Sequence, residues 1–264
     1  MRMILNDMLL PYLIALIVQF LIIGYLSYLT LKKRKTKILF GLFTVAFIFT
    51  LTLISYKANY HCYSGEKLIK KGYYSDGLVH LKKCHNVRSY FHYLEYMPYF
   101  YLTEKKELLS LIGIASYENK NYKDAILYLS STLSIDPNQF IPRAYLAHSY
   151  FLTEQYKEAE KNYLILIKLD GSISFIRSYH LGLSYMHLGS FDKAILEFKS
   201  AIQIEPERKD INFLIASCYA ALKDTSNAIK NLNEAITFDR KFLEVALKDS
   251  NFNYMKSEII KLKQ

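Results

Sequence analysis

Four short phrases decide how this chain folds: Tyr122-Lys123-Asp124-Ala125, Tyr156-Lys157-Glu158-Ala159, Phe191-Asp192-Lys193-Ala194 and Thr225-Ser226-Asn227-Ala228. Their alanines stand 34, 35 and 34 residues apart. Twelve residues before each alanine lies another small residue (Gly113, Ala147, Gly182, Ala216), and four residues after it a large one (Leu129, Tyr163, Phe198, Leu232). Two antiparallel helices approach closely only where one member of each facing pair is small, and a large residue one turn on fills the space beside it. Each unit is therefore expected to be a helical hairpin. Pro137 and Pro206 follow their alanines by twelve residues and should stop the second helix of their units.

A repeat of this period, carrying Leu181-Gly182, Tyr185, Ala194, Phe198, Ala201 and Pro206, resembles the tetratricopeptide repeat. The resemblance covers residues 104–240 in four in-phase units and departs from the family in lacking the early Trp, in Gly171 and Arg240 at closing-proline positions, and in one extra residue before Ala194. It implies an all-α solenoid. Upstream, Gly72-Tyr73-Tyr74-Ser75-Asp76-Gly77 reads as another inter-helix turn, with Gly77 at the alanine position and Gly65 twelve before it, so residues 57–103 are expected to hold a degenerate first repeat and an insertion. Residues 241–264 are expected to form the terminal helix pair that covers the last apolar face, which any solenoid needs.

The remaining residues, 1–56, differ in composition. Leu9–Leu31 is uncharged, with Gln19 its one strongly polar residue, and Ile38–Tyr56 is a second uncharged run. Either is long enough to cross about 30 Å of hydrocarbon as a helix. Both exceed the roughly 7–15 residues of a signal-peptide core, and no small-x-small cleavage site follows. The expectation is a transmembrane helical hairpin with spans at about 9–31 and 38–56. Its loop, Lys32-Lys33-Arg34-Lys35-Thr36-Lys37, carries five positive charges in six residues and should stay cytoplasmic. Arg2, Lys57, Lys67, Lys70 and Lys71 flank the other ends and weigh against this, but the loop charges are contiguous and abut both spans. The repeats would then lie outside the cytoplasm, in the periplasm of a bacterium with two membranes.

Of the formal net charge of +10, six of the 34 basic and one of the 24 acidic residues precede residue 57, leaving +5 on the rest. That is a mildly basic solvated surface, and no nucleic acid is expected as partner.

The family resemblance also assigns a concave groove, lined by the first helix of each repeat. Its positions here hold Ser110, Ile114, Tyr117 and Glu118, then Ala144, His148, Phe151 and Leu152, then Tyr179, Leu183, Met186 and His187, then Phe213, Ser217, Ala220 and Ala221. Such an apolar, aromatic groove suits an amphipathic helix or an extended apolar peptide; the alternative is that a tightly coiled solenoid buries these positions itself. The Lys and Asn with which family members clamp a C-terminal carboxylate are missing there. In the same frame Cys62 and Cys84 fall opposite each other on the first helix pair, which implies a disulfide in an oxidising compartment; two separate buried thiols are the other reading. His61-Cys62 and Cys84-His85 would be a tetrahedral donor set, but adjacent residues on a helix point about 100° apart, and no metal is expected. Tyr93, Tyr96 and Tyr99 belong to a tyrosine- and phenylalanine-rich stretch at 90–101 suited to an interface, to lipid headgroups, or to packing on the next repeat.

No phosphate loop, hydrolase triad or paired carboxylates appear, so neither an enzyme nor a cofactor is expected. The functional expectation is a membrane-anchored scaffold or adaptor for a bacterial envelope complex, such as a periplasmic flagellar, secretion or pilus machine. The alternatives are an accessory subunit of a polytopic envelope glycan enzyme and a periplasmic chaperone for apolar segments.

Overall fold

The computed structural model describes residues 34–90, 105–170 and 174–262. Every regular element among them is helical. The chain falls into two compact units, residues 1–119 and 120–264.

The first unit holds α1 (Arg34–Lys70), α2 (Tyr74–Tyr90) and α3 (Lys105–Glu118), with α1 packed on α2 and α2 on α3. The α1–α2 contact shows why two glycines stand where the repeat has small residues. A Cβ on Gly65 would lie 2.7 Å from Leu81 Cδ2, and one on Gly77 would lie 2.7 Å from Ile69 Cδ1 and 3.1 Å from the Gly65 carbonyl oxygen. The two backbones approach this closely because neither carries a side chain, and Leu81, four residues past Gly77, is 1% exposed in the position of the expected large residue. Helices α1 and α2 thus form a closely packed pair. Its first helix is continuous with residues 34–56, with no break between them.

The second unit runs α4 (Tyr122–Ile135), α5 (Phe140–Leu152), α6 (Tyr156–Leu169), α7 (Phe175–His187), α8 (Phe191–Ile204), α9 (Ile211–Ala221) and α10 (Thr225–Phe238), each helix packed on the next. All four repeat alanines are fully buried, as are Leu129, Phe198 and Leu232, while Tyr163 is 3% exposed. This nearest-neighbour stacking is what a solenoid requires. Helix α4 ends before Pro137 and α8 before Pro206. Where no proline follows, Asp170 and Asp239 turn the chain into extended backbone.

Backbone conformation marks the repeat as sharply as the alanines do. Gly72, Lys120, Glu154, Gly189 and Lys223 all have positive φ, between 60° and 81°. Behind four of them the next amide donates to a carbonyl five residues back: Tyr73 to Leu68, Gln155 to Tyr150, Ser190 to Tyr185 and Asp224 to Tyr219, at 2.9–3.0 Å. In those four turns the left-handed cap closes the helix before it by satisfying its last carbonyls.

Buried arginines tie the inter-repeat loops down. Arg143 donates to Asn162 Oδ1 at 3.0 Å and to the Pro137 carbonyl, and Arg177, one repeat later, donates to the Asp170 carbonyl at 3.3 Å. At the C-terminus, α11 (Lys241–Lys248), a 3₁₀ segment (Ser250–Met255) and α12 (Lys256–Lys261) bury Leu243, Ala246, Phe252, Met255 and Ile259 against Ala216, Ala220, Ala228 and Leu232 of the last repeat. The expected terminal helix pair is thus interrupted: Ser250, Asn251 and Asn253 are weak helix formers, and the Asp249 side chain accepts from the Asn251 amide at 2.9 Å to open the tighter turn.

Among the described residues, no helix is long and apolar enough to cross a membrane. The first expected span lies wholly outside that description. So do the side chains of Phe43, Phe47, Ile48, Leu51 and Ile54 in the second. The transmembrane hairpin therefore rests on the sequence alone.

Candidate functional site

The inner helices α5 and α7 touch directly, and their contact is built from aromatic rings and histidines. His148 and His180 lie with ring centroids 4.2 Å apart. Phe151, one turn past His148, stands edge-on to His180 at 5.0 Å. His187 stacks flat on Tyr156, at 4.2 Å and 2° between planes, and Phe151 closes the group 5.8 Å from Tyr156 and 6.4 Å from His187. Of the expected groove residues, His148, Phe151, Tyr179, Leu183 and Met186 are half-buried and His187 is exposed. Phe151, Tyr179, Leu183 and Met186 lean on the core of the unit beneath them, so each is shared between core and surface.

Electrostatics keep this patch neutral. Burial pushes the His180 imidazole down from the usual 6.5 to about 4, and the neighbouring His148 adds to the effect. Burial lowers His148 as well. Buried His180 Nδ1 has no hydrogen-bond partner. A protonated ring here would lose solvation and meet a second imidazole, and both effects disfavour the charge. One end of the patch is roofed by Arg208, whose guanidinium lies 4.8 Å from the Phe175 ring centre and 5.8 Å from that of Tyr179 while both its arms pair with Asp210 at 2.9 Å. That half-exposed cation is committed within the chain, stacked and ion-paired.

Other expected positions fare differently. Phe213 stacks on Phe242 at 5.1 Å and meets Phe252 at 5.9 Å, and Ser217 and Ala220 are buried. The C-terminal cap covers the last repeat there, so this part of the groove is closed by the chain itself. Ile114 and Tyr117 are half-buried in the first unit. Tyr93, Tyr96 and Tyr99 lie outside the described residues. His180 and Tyr156 were missed by the sequence reading: the groove frame steps over the residue after Tyr179, and Tyr156 reads as the structural opening of α6.

Cys62 on α1 and Cys84 on α2 face each other with Cα atoms 5.3 Å apart and sulfurs within bonding reach. That separation is within the usual disulfide range. Beside them His61 Nδ1 and His80 Nδ1 approach to 3.1 Å. No cluster of three or more His, Cys, Asp or Glu able to hold a metal ion occurs among the described residues. Cys218 is fully buried in the core, where desolvation raises its thiol to about 12.

Residues 178–208 and 210–242 match the tetratricopeptide repeat family. The match falls on α7–α8 and α9–α10, in the phase set by the alanines. Solved structures similar to this chain include MamA from Desulfovibrio magneticus RS-1, 18% identical with a TM-score of 0.56 over 70% of this chain and 96% of that one. The structure designated MamA AMB-1 is 21% identical with a TM-score of 0.58 over 69% and 99%. At these identities the likeness establishes the fold, an all-α tetratricopeptide-like solenoid. Curated relatives include intraflagellar transport protein 70A of Danio rerio, 23% identical over 64% of this chain, and cell division cycle protein 27 homolog A of Arabidopsis thaliana, 29% identical over 39%. The chain spans only 28% and 14% of their respective lengths.

Proposed function

We propose that this protein is a membrane-anchored scaffold of a bacterial envelope complex, which holds a protein partner on the aromatic face of α5 and α7. The observation that carries the reading is the composition of that face. Phe151, Tyr156, Tyr179, Leu183, Met186 and His187 combine apolar area with few committed charges, and all but Tyr156 are donated by the inner helices of successive repeats. Rings of this kind offer large contact area at low conformational cost, which suits an apolar helix or extended segment of another protein. Beside these residues, His148 and His180, whose imidazoles burial holds neutral, add no charge that a partner would have to desolvate.

The envelope setting is supported by two features of the first unit. Two long uncharged runs separated by a lysine-rich loop read as a hairpin anchor with its loop in the cytoplasm. The facing of Cys62 and Cys84 suits a structural disulfide, which persists in an oxidising compartment outside the cytoplasm.

The test is purification from gently solubilised membranes of the wild type and of a Met186→Glu/His187→Glu variant whose unfolding midpoint is unchanged. A partner recovered stoichiometrically with the wild type and lost with the variant supports the proposal. Equal recovery by both refutes the groove as the binding surface.

A further inference from the structure

One face of α1 stays exposed along Leu42, Ala46, Phe49, Leu53, Tyr56, Tyr60 and Tyr63. The steps alternate four and three residues, which keeps the side chains on a single stripe. Its chemistry changes at one point. Up to Leu53 it is aliphatic or phenyl; from Tyr56 it is phenolic, and one step beyond Tyr63 stands Lys67, whose ammonium lies 6.0 Å from the Tyr63 ring centre. Tyr60 is steadied edge-on by His61 at 5.6 Å and His80 at 6.2 Å while remaining 52% exposed.

We propose that Tyr56, Tyr60, Tyr63 and Lys67 form a ladder for phospholipid headgroups that seats the first repeat in the membrane–water interface. The proposal rests on the reading of residues 38–56 as a membrane span, and dimensions connect the two. The 19 residues of that run cover roughly 28 Å of helix, close to the hydrocarbon thickness, and the seven steps from Tyr56 to Tyr63 cover roughly 10 Å more, comparable to the headgroup layer of one leaflet. Tyrosine favours that layer because its ring is apolar and its hydroxyl can donate to phosphodiester and ester oxygens. An ammonium one turn further out meets the phosphates. Lipid is the occupant this gradient fits: a seam against another protein helix would have no reason to turn phenolic where the apolar run ends. Because α1 is unbroken from residue 34 to residue 70, the ladder would also hold the Cys62–Cys84 helix pair at a fixed height above the bilayer.

The chain contains no tryptophan, so Tyr60→Trp and, separately, Tyr63→Trp give single-site fluorescent reporters in the full-length protein. Tyr254→Trp, in the C-terminal cap, is the control. Each is reconstituted in phosphatidylcholine–phosphatidylglycerol vesicles with lipids brominated either beside the headgroup or at the chain ends. Both ladder reporters are expected to lose fluorescence to the shallow bromines and to keep it with the deep ones, the control responding to neither. Three results would overturn the ladder. Reporters as open to aqueous iodide as the control, on protein that resists alkaline carbonate extraction, would place the tyrosines in water and leave the anchor standing. Reporters shielded from both iodide and bromine, with cross-linking between copies, would assign the stripe to a protein seam. Extraction by carbonate would remove the anchor and the ladder together.

Discussion

Phe198 lies across the backbone of Gly182: a Cβ added to that glycine would stand 2.7 Å from Phe198 Cε1 and 2.8 Å from Cδ1. The two residues sit on opposite helices of one hairpin, α7 and α8, and both are buried. Gly65 and Leu81 repeat the relationship in the first unit. Gly182→Ala sets helix propensity against packing, since alanine is favoured in a helix interior by about 1 kcal/mol whereas an extra methyl in a full core costs typically 1–3 kcal/mol. The fully buried ring has little room to move, so packing should win. Urea unfolding is expected to show a net loss of about 1–2 kcal/mol, and Phe198→Leu in the same chain should recover part of it.

At Lys120, Glu154 and Lys223 a residue with a Cβ occupies the left-handed region that Gly72 and Gly189 fill at the equivalent turns. The strain of that conformation, about 1–2 kcal/mol, exceeds what glycine loses through its freer unfolded chain. Each replacement by glycine should therefore stabilise the protein by about 0.5–1 kcal/mol, and the three should add because they lie in separate turns. Gly189→Ala should do the reverse. Thermal midpoints of the four variants check both signs.

Acid should weaken the second unit through His180. Its folded value of about 4 is below the usual 6.5, so protons bind the unfolded chain first. The stabilisation stands in full above pH 6.5 and drains away as the pH falls toward 4. With the ring partly solvated, the loss from this residue is about 2 kcal/mol. His180→Phe, which keeps a ring against His148 and Phe151, should flatten the pH dependence of the urea midpoint over that window and leave the neutral midpoint equal or higher.

A Cys62–Cys84 bridge would close a loop with a sequence separation of 22. By chain entropy that constraint is worth about 3 kcal/mol. Protein taken from membranes without reductant should leave both cysteines unalkylated, and its first unit should unfold at lower urea once reduced. Cys218, buried and with its thiol raised to about 12, should resist alkylation in the folded state either way and serves as the internal control. Alkylation of Cys62 and Cys84 in unreduced, unfolded protein would show that no bridge forms.

How much of this could be read from the chain depends on whether the deciding contact is local to the repeat. The alanine spacing, the glycine pair at 65 and 77 and the prolines after α4 and α8 act within one hairpin, and the family match at residues 178–208 and 210–242 falls in the phase the alanines set. Phe213 was expected in the groove, with burial by the solenoid itself as the alternative; the rings that meet it, Phe242 and Phe252, come from the cap and obey no repeat rule. His180 was passed over because its role arises where α5 meets α7, a contact between repeats that no single unit encodes. The 3₁₀ segment at 250–255 carries Ser250, Asn251 and Asn253, a local signal that was there to be read.

The central claim, that the α5–α7 face holds a protein partner, is tested most directly by a photo-crosslinking amino acid placed at Met186 in the native membrane, compared with the same group at Leu196, which is 65% exposed on the second helix of that hairpin. The account predicts a discrete cross-linked protein from Met186 and none from Leu196. A product from Leu196 alone, or the same product from both, would contradict it.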